Sequence, residues 1–146
     1  MHGMLLRSTV AGLMAASFLA LAPAAFAQAV TYKADLKASA EVPPADSKGT
    51  GTVQASYDPA SKKLTYTVNY KDLTGPAVAA HFHDASAPGG NGPPIVPASN
   101  VGTSPIKGTA TLTDAQIADV NAGKVYFNIH TAANPGGEIR GTLAKQ

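Results

Sequence analysis

The chain has 146 residues, with 11 Lys and Arg against 9 Asp and Glu, a formal charge of +2 and no cysteine. A length of this order suits one domain, and the near-balanced charge gives no electrostatic case for nucleic acid. Without cysteine there is no disulfide framework, no cysteine nucleophile, no thiolate-held zinc and no iron–sulfur cluster.

Residues 1–27 read as a secretory signal peptide. Arg7 supplies the positive n-region, and Val10–Ala22 forms an apolar h-region shorter than a membrane span. Ala25-Phe26-Ala27 before Gln28 has the small-x-small form of a cleavage site. A single Arg, rather than a twin pair, points to general secretion, and the Ala-rich h-region has a bacterial character. The expected product is a periplasmic or extracellular domain over residues 28–146. Met1, Met4 and Met14 leave with the signal, so that product has no sulfur at all, and Arg140 is its one arginine.

Seven segments then alternate apolar and polar residues with period two. They are Val30–Ala38, Val53–Tyr57, Leu64–Tyr70, Val78–Phe82, Ile106–Leu112, Val125–Ile129 and Ile139–Leu143. Such alternation gives antiparallel sheets with one buried face. Asp58-Pro59-Ala60-Ser61 and Asp72-Leu73-Thr74-Gly75-Pro76 read as turns. Residues 84–105, rich in Gly and Pro, read as one long loop of the kind that is uncommon unless functional or mobile. Thr113-Asp114-Ala115-Gln116 has capping-box spacing, Ile117 and Val120 share a face, and Gly123 suits the stop, which predicts a helix over 114–122. The expected fold is all-β: an antiparallel Greek-key sandwich or barrel of about seven to eight strands, with one short connecting helix.

Three histidines follow residue 27: His81, His83 and His130. In a strand, residues i and i+2 share a face, about 6.6–7 Å apart. With Val78, Ala80 and Phe82 as the core stripe, His81 and His83 point away from the core together. Val125, Phe127 and Ile129 place His130 on the corresponding face of its own strand. If the two strands are neighbours, three imidazoles converge, and an N/O donor set without sulfur suits Cu(II) or Zn(II). The alternative is three ordinary polar-face histidines. Ala132–Gly137 forms a natural hairpin connection, and Ile129 and Ile139 must both face the core. His130 then shares a face with Glu138 and Arg140. Glu138 is a candidate fourth ligand or ring-orienting acceptor; a plain Glu138–Arg140 ion pair is the competing expectation. No nucleophile elbow, close carboxylate pair or phosphate loop is evident.

Four segments together resemble the CHRD domain: Glu41-Val42-Pro43-Pro44, Ala79-Ala80-His81-Phe82-His83, Ala122–Thr131, and Asn134-Pro135-Gly136-Gly137-Glu138-Ile139-Arg140-Gly141. The resemblance covers roughly 34–143 and implies an extracellular all-β module. In animals that module sits in regulators that bind growth factors, but the Cys-rich partners of that setting are missing here. His81-Phe82-His83, followed by an acidic residue and a Gly-rich loop, is also similar to the copper strand of Cu/Zn superoxide dismutases. The zinc-site histidines and cysteine pair of those enzymes are missing. The expectation is an exported binding protein holding copper or zinc through His81, His83 and His130, with Glu138 alongside. The alternatives are a metal-free protein-interaction module and a copper-dependent redox protein acting on superoxide. No nucleic acid or membrane partner is expected.

Overall fold

The computed structural model describes residues 27–146, so the expected signal peptide lies outside the described residues but for Ala27. Among the described residues nine strands form: β1 (Val30–Lys37), β2 (Thr50–Asp58), β3 (Lys63–Lys71), β4 (Ala77–Asp84), β5 (Pro94–Pro97), β6 (Ile106–Thr111), β7 (Val125–Thr131), β8 (Ile139–Thr142) and β9 (Ala144–Lys145). One helix, α1 (Asp114–Asn121), joins β6 to β7, and a single 3-10 turn, Ala38–Ala40, follows β1.

All strand pairs are antiparallel, in the order β5-β4-β7-β8-β1-β2-β3-β6, with β9 on β1. β1-β2-β3, β4-β5 and β7-β8 pair strands that follow each other in sequence. The chain crosses over from β3 to β4, and β6 returns to pair with β3, so non-sequential neighbours meet in Greek-key fashion. The sheet curls into a nearly closed barrel. Tyr66 of β3 meets Phe82 of β4 edge to face at 4.9 Å, and Phe82 meets Phe127 of β7 at 4.8 Å. The Tyr66–Phe82 contact joins the two halves of the sheet across the interior, and each aromatic pair adds about 0.5–1.5 kcal/mol beyond its area burial. Gly108 sits opposite Tyr66, and a Cβ there would collide with the tyrosine ring.

The alternation read from the sequence sets the core. Tyr32, Ala34 and Leu36 of β1, Val53, Ala55 and Tyr57 of β2, and Leu64, Tyr66 and Val68 of β3 are all buried. In β7, Val125, Phe127 and Ile129 lie inside. The capping box is complete: Thr113 Oγ1 accepts from the Gln116 amide at 3.1 Å, and Gln116 Oε1 accepts from the Thr113 amide at 2.9 Å. The helix stops at Asn121, one residue short of the expected end, with Ala122 as its cap and Gly123 at φ +72°.

Three expectations change. Val78 is not in the core but 60% exposed, because the β4–β7 register shifts between Ala77 and Ala79 and turns it outward. Residues 84–105 are not one open loop: Pro94–Pro97 pair with β4 as the edge strand. The second face of β4, β7 and β8 is not solvated either. Residues 41–45 and 84–93 cover it, and His83, Tyr126, Asn128 and Arg140 are buried there.

Candidate metal centre

The centre grows from the pairing of β4 with β7. In that register Ala79 opposes His130, His81 opposes Asn128 and His83 opposes Tyr126. Cross-strand partners share a face. His81, His83 and His130 therefore stand on one side of the sheet, away from the Phe82–Phe127 core, as strand parity required. One ring nitrogen from each lies within 4.8 Å of the other two. The closest approach is His81 Nδ1 to His130 Nε2, at 3.2 Å.

Hydrogen bonds fix which nitrogens carry lone pairs. His83 Nδ1 lies 2.9 Å from the Gly92 carbonyl, and His130 Nδ1 lies 2.9 Å from the Pro135 carbonyl. A carbonyl only accepts, so both Nδ1 atoms carry a proton, and in the neutral rings both Nε2 atoms are bare. His83 Nε2 is buried and has no donor facing it. Burial first, then the neighbouring His130 and His83 rings, lowers the pKa of His81; burial likewise lowers that of His83, against the opposing Gly92 bond and the Asn128 side chain. Both rings are held in the neutral, ligating form. Tetrahedral metal–nitrogen bonds of 2.0–2.1 Å put ligand nitrogens about 3.3 Å apart, which the His81–His130 separation already meets. The widest pair, up to 4.8 Å apart, must close by about 1.5 Å to reach that spacing.

Glu138 stands apart from this group. The regular β7–β8 register ends with Ile129 opposite Ile139, and the Glu138 amide donates to the Ile129 carbonyl. Its side chain is fully buried, away from the imidazoles. Oε1 accepts from Ser47 Oγ at 2.6 Å and the Thr74 amide at 2.7 Å. Oε2 accepts from Thr74 Oγ1, Thr131 Oγ1 and Asn134 Nδ2. These bonds hold its pKa down at about 2, although burial alone pushes it up. The expected role of Glu138 beside His130 is thus replaced by a hub that ties the 45–50 and 72–76 segments to the hairpin.

The expected Glu138–Arg140 pair does not form. Arg140 Nε donates to Glu41 Oε2 at 2.7 Å, with both side chains buried. Its other nitrogens reach Asn91 Oδ1 at 2.9 Å and the Gly90 carbonyl at 3.4 Å. The guanidinium lies 4.1 Å from the Tyr126 ring centre, and Tyr126 stacks on His83 at 4.9 Å and 5°. Arg140 thus holds the 84–93 segment over the histidine face. Parity placed Tyr126, Asn128 and Arg140 on that face, but nothing local announced Glu41 as the partner. Asp84, the acidic residue after His83, lies by Asp119, and burial and that carboxyl raise its pKa.

A sequence-family model described as the CHRD domain matches residues 32–143. No curated protein and no solved structure gives a significant match.

Proposed function

The chain belongs to the CHRD-domain family, and on that footing we propose that it is an exported binding protein whose His81, His83 and His130 hold one Cu(II) or Zn(II) ion. The observation that carries this reading is His83 Nε2. The residue is 8% exposed, its Nδ1 is committed to Gly92, and its Nε2 is buried with no hydrogen-bond partner. An orphaned buried acceptor is destabilising unless something satisfies it. A cation shared with His81 Nδ1 and His130 Nε2 does so. His81 gives up its hydrogen bond to His130 and takes the Nε2–H tautomer when the ion enters. The carbonyls of Gly92 and Pro135 then orient two of the three rings from behind, as acceptors behind ligating imidazoles do.

Family membership supports a second reading, a metal-free protein-interaction module. Titration separates the two. The proposed function requires uptake of one equivalent of Cu(II) or Zn(II) at micromolar concentration, lost in His81→Ala and in His130→Ala. A folded protein that takes up neither ion leaves only the interaction reading. Export is supported by the leader pattern of residues 1–27; a secreted product beginning at Gln28 tests it.

A further inference from the structure

Asn128 lies at the base of the histidine cluster. It sits directly across from His81 on β4 and from Arg140 on β8, and two positions before His130 on β7. All four side chains share one face of the sheet, and Asn128 is 1% exposed. Asn128 Oδ1 is buried with no hydrogen-bond donor, as are His83 Nε2 and Glu41 Oε1.

The order of donors and acceptors explains why. Glu41 Oε2 takes the Arg140 proton. Glu41 Oε1 and Asn128 Nδ2 converge on the space over Gly137, whose own Cβ, if it had one, would lie 2.5 and 2.7 Å from them. Gly137 has φ +127°, so the chain leaves that space open with a residue that needs no Cβ. A carboxylate only accepts, so the amide NH2 belongs on the Glu41 side and Oδ1 on the histidine side. There it meets His83, whose Nδ1 proton already points to Gly92. Asn128 Oδ1 and His83 Nε2 thus face each other, and with His83 neutral neither has a donor.

We infer that Asn128 Oδ1 is the fourth ligand of the ion held by His81, His83 and His130. This rests on the three-histidine reading and extends it. An amide oxygen is a neutral donor compatible with Zn(II) and Cu(II) in an N/O set. Glu41 and Arg140 stand behind it and fix the amide's direction, as outer partners do for other ligands. With three nitrogens and one oxygen a zinc ion has its full tetrahedral complement. A closed centre of that kind holds an ion; it does not offer a position for turnover.

The test uses the full chain with zinc alone and with copper alone. Asn128→Leu removes the oxygen at similar volume, and Asn128→Asp keeps it. The inference expects Asn128→Leu to weaken zinc about 10- to 100-fold. Asn128→Asp should restore binding. Calorimetry reads affinity, and metal-free thermal unfolding checks that each variant is folded. If Asn128→Leu does not fold, the crystal structure of the zinc-loaded natural chain decides. An Oδ1–zinc distance of about 2.0–2.2 Å supports the assignment, and one beyond about 3 Å overturns it. Equal zinc affinity in the natural chain and a folded Asn128→Leu overturns Asn128 and leaves the three histidines standing. No uptake by the natural chain overturns the three-histidine reading, and Asn128 falls with it.

Discussion

His81 Nδ1 lies 3.2 Å from His130 Nε2 across 49 positions of sequence. In the neutral ring His130 Nε2 is bare, because the proton sits on the nitrogen bonded to Pro135. Without an ion, His81 must donate to His130; with one, both offer lone pairs. Either His81→Ala or His130→Ala therefore removes metal binding while costing the fold little, since both rings are partly exposed. The expected change in metal-free stability is within about 1 kcal/mol. Chemical denaturation beside metal titration measures both, and a variant that still binds at natural affinity contradicts the assignment.

Glu138 contributes to stability rather than to the ion. Its folded pKa of about 2 lies below the ordinary 4.5. A depressed carboxylate stabilises fully above the unfolded value and loses that contribution as pH falls from about 4.5 to about 2. Glu138→Gln keeps the shape but presents NH2 to hydroxyl and amide donors. It should lower stability by about 2–4 kcal/mol at neutral pH and flatten the acid limb of the stability curve. Urea unfolding at pH 7, 4.5 and 3 reads this; a curve parallel to the natural protein's would count against the hub.

Much of this was legible from alternation. The core stripes of β1, β2, β3 and β7 and the capping box at Thr113 follow from local residue order. So does the shared face of His81, His83 and His130. The failures have local and non-local causes. A bulge flips Val78, and no single-strand pattern reveals a bulge set by its partner. β5 has four residues with proline at each end, too short and too Pro-rich to stand out from a loop. Arg140 shares the right face, but its partner Glu41 arrives from 99 positions away. Asn128 went unread as a site residue because an amide next to histidines has no motif; its meaning lies in having no donor.

Arg140 is buried against Glu41, and breaking such a pair leaves an uncompensated charge. Arg140→Met should destabilise by about 3–5 kcal/mol. It should also loosen residues 90–92, which Arg140 and the Tyr126 hydroxyl hold. Hydrogen exchange at Gly92 is the local readout. Unchanged protection would mean that the 84–93 segment is held by something else.

Thr113→Ala removes the side-chain acceptor of the Gln116 amide. The expected loss is about 1 kcal/mol with no effect on metal affinity, since α1 does not touch the histidine face. Thermal unfolding and zinc titration of the same preparation check both halves.

The central claim is that a buried, donorless His83 Nε2 marks a cation site. Isothermal titration of the purified chain with Zn(II), and separately with Cu(II), tests it most directly. The account predicts one ion per chain at micromolar or tighter affinity, abolished in a folded His83→Ala variant. No heat and no bound metal from a folded natural chain, or full binding by His83→Ala, would contradict it.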